Sequence, residues 1–306
     1  MKGWSRSASA FSQKHDTLLN IKKHRHLYLL FLPVAVYFIL FSYYPFIKGI
    51  MMSFQANRLL GLRPFVGFEN YRLVLSDPDF TQSIVNSLII GIADMILYFV
   101  LSLVLALFIN ELAFGNMRKV IHTIAYLPHL FSWAVIGGIW LLILNRQGML
   151  NAIRGVFGQE VVYFMAEPAL ARPIIILMGV WRSIGYFALL YSVAIVGIDT
   201  ALFEAARIDG AGRFTQITRI ILPSLSGTMK VILVLLSIGV LTHFDEVYVM
   251  QNPLNKMYIR TLLLYVFETG IVNFKLGTAT AGATLVMIGT LTVVGVSRKL
   301  TGYDEN

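Results

Sequence analysis

Residues Ile198–Gly227 read IDTALFEAARIDGAGRFTQITRIILPSLSG, a polar interruption between two long apolar runs. A polar connection of this length has to fold on itself to be compact. Asp199 or Thr200 can cap a short helix reaching about Arg207, with Glu204 near its positive end and Ala205 and Ala206 supplying high helix propensity and a smooth surface. Gly210 then provides a sharp reversal. A second helix resumes near Gly212 or Arg213, places Phe214, Ile217 and Ile221 on one face, and is expected to stop at Leu222-Pro223. The product is a helix-turn-helix elbow projecting from whatever the flanking runs form.

Those runs identify the surrounding phase. The chain is 57% hydrophobic and only 13% charged, where soluble proteins carry about 25% charged residues, and its mean hydropathy is +0.71. Six stretches are long enough to cross a hydrocarbon core of roughly 30 Å at 1.5 Å rise per residue: Leu27–Phe46, Ile84–Ile109, Val120–Leu144, Pro173–Ile198, Val231–Met250 and Leu276–Val296. They are apolar on every face, whereas barrel strands alternate over about ten residues, so the fold class is all-α, a polytopic membrane protein of six transmembrane helices.

Residues 1–26 form a basic tail too long and polar for the n-region of a signal peptide, 27–297 the membrane domain with its elbow at 199–227, and 298–306 a short tail. Placing both termini in the cytoplasm puts Arg118, Lys119, Arg298 and Lys299 on short segments abutting membrane ends on that side, as the positive-inside rule requires. The basic residues are dispersed between apolar runs, which argues against nucleic-acid binding despite the net charge of +9. Outer loops 47–83 and 145–172 are rich in glycine and proline and suit a surface that meets another molecule.

The stretch EAARIDGAGRFTQITRIILP closely resembles the EAA motif of binding-protein-dependent ABC importer permeases, which lies, as here, in the loop before the penultimate membrane helix. WRSIGY before it and FDEVYVMQNP after it look like the sugar-importing branch. The resemblance implies a type I importer permease fold in a bacterial-type inner membrane. It also implies a second related permease, two ABC ATPase subunits, identical or different, that bind ATP and Mg, and an extracytoplasmic solute-binding protein. By the same resemblance Glu204, Ala205, Ala206, Asp209, Gly210 and Ala211 are the motif core and Pro223 its end, the elbow being the coupling helix that fits a cleft on the ATPase.

No phosphate-cradling G-x-x-x-x-G-K-[ST], serine elbow, H-E-x-x-H pair or dinucleotide fingerprint occurs, cysteine is absent, and the six histidines lack ligand spacing. The chain is therefore expected to be a transport subunit with no cofactor or metal of its own, not an enzyme. The His243, Asp245 and Glu246 group, the nearest thing to a catalytic cluster, looks isolated. Charges inside apolar runs are functional suspects: Asp94 either lines a pathway or bonds a neighbouring helix, and Arg182, Asp245 and Glu246 either line it or snorkel. Among polar and aromatic candidates that include Asn86 and Tyr191, the preferred pathway residues are Trp181, Tyr186 and Phe244, on helices the elbow can move directly. Small residues Ala279, Gly282, Ala283 and Gly289 permit close packing, within the chain or against a second permease. The rival reading, an ion-gradient-driven secondary transporter, calls for inverted repeats and has no need of the elbow.

Overall fold

The longest helix starts where its residues say it should. Asp77 accepts a hydrogen bond from the Asp79 amide at 2.9 Å, Pro78 occupies the first turn, where a missing N–H costs nothing, and the helix runs from Pro78 to Glu111. In the computed structural model, which describes residues 24–58, 61–112 and 114–303, the fold is helical throughout, with one isolated antiparallel bridge between Gln55 and Phe65. The basic tail expected at 1–26 falls almost wholly outside the described residues.

Two units are distinguished, one ending at Met52 and one running from Ser53. The first is α1 (His26–Ser53), which extends beyond the expected Leu27–Phe46 and ends in Ser53 of the second. Within it Ile39–Tyr43 forms a π turn in which the Tyr44 amide bonds the Ile39 carbonyl, and Pro45 follows two residues after the turn ends. A proline inside an α-helix clashes with the carbonyl four residues back, and widening the preceding turn relieves that clash without ending the helix.

The second unit contains α2 (Glu69–Leu75), α3 (Pro78–Glu111), α4 (Gly115–Tyr126), α5 (Trp133–Leu144), α6 (Met149–Val156), α7 (Pro168–Val196), α8 (Thr200–Ile208), α9 (Arg213–Ser224), α10 (Ser226–Gly239), α11 (Asp245–Met250), α12 (Lys256–Ile259), α13 (Leu262–Val272) and α14 (Leu276–Thr301). Among the described residues five helical segments are long and apolar enough to cross a membrane, and α9 with α10 makes a sixth if the pair is taken as one span across its 63° bend.

Two expected spans are broken. Val120–Leu144 is interrupted at Leu127–Leu130, a 3-10 turn carrying Pro128, after which Ser132 caps α5 by accepting from the Val135 amide. Val231–Met250 is not one helix either: α10 ends at Gly239, residues 240–244 turn, and Phe244 precedes a separate α11. Pro223 likewise does not stop its helix. The Ile217–Ile221 π turn sits two residues ahead of it, as the turn in α1 does ahead of Pro45, and the helix continues to Ser224 before bending.

The core follows α3. Its Phe80 packs with Val74, Leu262, Tyr265 and Val286; its Ile90 with Ile136, Ile175, Met178, Val247 and Leu264; its Tyr98 and Ala106 with Ala188, Tyr191, Ile221 and Ile232. Helices approach closely where side chains are smallest. A Cβ on Gly185 of α7 would lie 2.0 Å from the Ala125 carbonyl oxygen of α4, so only glycine permits that contact. Two of the small residues of α14 meet side chains of this chain, Gly282 at Val266 and Gly289 at Leu241.

Candidate functional site: the elbow and the polar centre of the bundle

The elbow forms as its residues dictate. Asp199 caps α8 by accepting from the Ala201 amide at 2.9 Å, and α8 ends in a left-handed Gly210 (φ 74°) with the Ala211 amide bonding the Ala206 carbonyl at 2.8 Å, a Schellman-type close. Gly212 caps the returning helix. Two contacts fix the elbow to the bundle. Phe203 packs against the Tyr191–Ile221 core, and Arg213 Nε lies 3.0 Å from the Glu111 carboxylate at the end of α3. Buried Gln216 braces the turn from inside, donating to the Ala211 carbonyl at 3.2 Å and accepting from Arg213 at 3.1 Å.

The motif residues line the outward side: Glu204, Ala205, Asp209 and Gly210 are exposed, Ala206 and Ala211 half-buried, and Pro223 exposed. Flanking the turn are two large apolar side chains open to solvent, Ile208 at 87% and Phe214 at 79% exposure. Phe214 therefore leaves the face assigned to it, since only Ile217 and Ile221 turn inward. Ile208 and Phe214 thus leave apolar surface exposed on either side of Gly210, on an otherwise polar projection.

Deep between α3 and the break after α10, charges converge. Asp94, 3% exposed, accepts from the Tyr98 hydroxyl at 3.0 Å; His243 Nε2 lies 3.7 Å from the same carboxylate, and His243 Nδ1 pairs with Glu246, itself 5% exposed. The Thr261 hydroxyl donates to the His243 carbonyl at 2.7 Å, tying the 240–244 turn to the start of α13. His243 and Glu246 are thus joined to Asp94 rather than isolated, and exposed Asp245 stands outside the group. Asp94 Oδ1 has no hydrogen-bond partner among the described residues. Among the described residues no group of histidines and carboxylates is arranged to hold a metal.

The preferred pathway aromatics fall into separate sets. Trp181 meets Trp140 edge-on at 6.3 Å; Tyr186 stacks on His129 at 4.5 Å and leads through Phe187 (5.0 Å) and Tyr98 (6.1 Å) to Asp94; Phe244 stacks on Tyr248 at 5.5 Å and touches Phe267. Arg182 lies 4.4 Å over the Trp133 ring and reaches the His129 and Phe131 carbonyls at the break in the third run. Asn86 and Tyr191 are fully buried. Asn86 donates to the Met257 and Arg260 carbonyls and accepts from Arg172 at 2.8 Å, so it fastens α3 to α7 and the 257–260 segment instead of facing a pathway. Gln216 and Glu111, which position the elbow, carry no sequence signal of their own. The orphaned apolar Ile208 beside Gly210 is the one feature here that hydropathy alone could have marked.

This architecture has counterparts. The chain is 30% identical over 298 residues to the polygalacturonan/rhamnogalacturonan transport system permease protein YteP of Bacillus subtilis (strain 168), covering 94% of this chain and 91% of that one. Among solved structures, a bacterial ABC transporter involved in the import of the acidic polysaccharide alginate superposes with a TM-score of 0.87 at 29% identity, covering 94% of this chain and 98% of its counterpart. The bacterial alginate ABC transporter in complex with an alginate pentasaccharide-bound periplasmic protein gives 0.85 at 29% identity, over 92% and 96% of the two chains. The family model described as binding-protein-dependent transport system inner membrane component matches residues 29–300. The chain belongs to that family, the membrane-spanning permease subunits of ABC importers.

Proposed function

We propose that this permease imports a carbohydrate, an oligosaccharide or polysaccharide fragment, working with a second related permease, two ATPase subunits that bind ATP and Mg, and an extracytoplasmic solute-binding protein. The observation that carries the coupling role is the elbow: a capped helix and glycine turn that present Ala205, Ile208 and Phe214 outward while Phe203 and Arg213 fasten them to the core and to α3. Relatives named for polysaccharide transport support the cargo class.

In this reading Glu204, Ala205, Ala206, Asp209, Gly210 and Ala211 sit in the ATPase cleft, and Pro223, beyond the π turn, lies at the bend through which α9 drives α10. Closure of the ATPase pair displaces α8; the Arg213–Glu111 pair and the Phe203 anchor carry that displacement to α3 and α7. Trp181, Tyr186 and Phe244 line the carbohydrate path, offering flat apolar faces to sugar rings. The elbow faces the cytoplasm, as do both termini, and loaded binding protein docks at the opposite end.

The test is ATPase activity of the complex that co-purifies with the chain, with and without binding protein, in native protein and in Gly210→Pro. Hydrolysis stimulated by binding protein and lost in the variant supports the proposal. Uptake driven by an ion gradient with no co-purifying ATPase would establish the rival secondary transporter.

A further inference from the structure

At the end of the bundle that carries the elbow, three helices enclose a cleft of about 530 Å³. Each contributes one face: Ile109 and Asn110 from the last turn of α3; Arg118, Lys119, His122 and Thr123 from α4; Leu189, Ser192 and Val196, spaced three and four residues apart, from α7. Among the described residues no carboxylate lines it. The nearest in sequence, Glu111, is engaged by Arg213, and among the described residues neither Arg118 nor Lys119 is within ion-pair distance of an acid. Arg118 is aimed by its Nε bond to the Leu112 carbonyl at 2.8 Å, and the Ser192 hydroxyl, shielded from solvent, has no hydrogen-bond partner among the described residues.

We infer that this cleft is a binding site for an anionic phospholipid, with the phosphodiester held between Arg118, Lys119 and His122, and one acyl chain lying on Ile109, Leu189 and Val196. Depth supports the choice of a lipid. The apolar run of α3 gives way to Asn110 and Glu111 in its last turn and α4 begins with Arg118 and Lys119 in its first two turns, which places this end at the headgroup layer, while Ile109, Leu189 and Val196 belong to the apolar runs that end there. Two unpaired cations between membrane helices at that depth recruit anionic headgroups, and an apolar wall beside them has no use for a free phosphate ion. The unpartnered Ser192 hydroxyl supplies a further donor to a phosphate or glycerol oxygen.

The test uses the full chain with the subunits that co-purify with it, in mild detergent. Retained phospholipid is extracted and identified by mass spectrometry, and the delipidated protein is titrated with fluorescent phosphatidylglycerol in phosphatidylcholine nanodiscs. Arg118→Gln with Lys119→Gln should lower affinity roughly ten- to thirtyfold and remove the co-purifying anionic lipid. Leu189→Trp, which fills the apolar half of the cleft without changing charge, should also weaken binding, and it keeps the proposal testable if the double variant fails to accumulate. Arg63→Gln with Arg72→Gln, at the opposite end, should change nothing. Equal lipid retention in the cleft variants and the native chain, or an equal loss in the Arg63/Arg72 control, would overturn the site. Displacement of the lipid by millimolar inorganic phosphate would overturn its assignment to a phospholipid.

Discussion

Truncating the elbow's tip should separate docking from folding. Ile208 and Phe214 flank Gly210 and are almost wholly solvated, so neither stabilises the isolated chain to any extent. Full burial of such a side chain in a partner cleft contributes about 1.5–3 kcal/mol. If the ATPase covers Phe214, Phe214→Ala should cost about 2 kcal/mol of that, close to thirtyfold in dissociation constant, and the Ile208→Ser/Phe214→Ala pair should weaken docking by roughly two to three orders of magnitude. The assay is titration of the detergent-solubilised permease with purified ATPase by biolayer interferometry, alongside thermal unfolding of the permease alone. The expected pattern is a faster off-rate with an unchanged melting temperature. Less than threefold weakening in the double variant would refute the reasoning, and so would a large drop in melting temperature, because the side chains would then be holding the fold and not offering a contact.

Other substitutions probe the interior. His243→Leu leaves Asp94 and Glu246 buried without their common partner and should destabilise the chain by about 3–5 kcal/mol in thermal unfolding, whereas His243→Leu combined with Asp94→Asn and Glu246→Gln should recover a large part of the loss. Asn86→Ala removes the group that satisfies the Met257 and Arg260 carbonyls and should cost about 1–3 kcal/mol in melting experiments while cargo selectivity in uptake assays stays unchanged. Arg213→Ala breaks a solvent-accessible pair and should cost less than about 1 kcal/mol of stability, yet lower binding-protein-stimulated ATPase activity if that pair transmits elbow movement; the Arg213→Glu/Glu111→Arg exchange should restore it.

The parts legible in the sequence were those governed by local rules. Asp199, Gly210 and Gly212 determine the elbow through capping and a positive-φ turn, which need no knowledge of the rest of the chain, and the apolar runs follow from bilayer thickness. What hydropathy could not see is where a span breaks. Leu127–Ser132 and residues 240–244 remain apolar enough to count as membrane, and the chain departs from helix there because the freed backbone finds partners elsewhere in the protein. The His243 carbonyl accepts from Thr261, and the His129 and Phe131 carbonyls accept from Arg182, contacts separated by 18 to 53 residues. Reading Pro223 as a stop failed for a local reason instead, since a π turn placed two residues ahead lets a proline pass, and the identical arrangement at Pro45 indicates that the spacing itself accommodates it.

Polar residues required the fold for the opposite reason. Asp94, His243 and Glu246 each look costly alone in an apolar run, and hydropathy treats them as independent penalties. Brought together by the 240–244 turn they partly neutralise one another, so the break in the fifth span and the charges beside it are one feature: the turn places His243 between two carboxylates, and the carboxylates hold the turn. Because Tyr98 links Asp94 to the Phe187–Tyr186 ring series and α3 continues from Asp94 to Glu111, the same helix that meets the elbow at one end carries the polar centre in its middle. In the proposed coupling, a displacement of the elbow passed along α3 from Glu111 reaches a break in the fifth span whose backbone is held by the Thr261 hydroxyl and by the contacts of His243 with two carboxylates, so that turn is expected to move with the elbow.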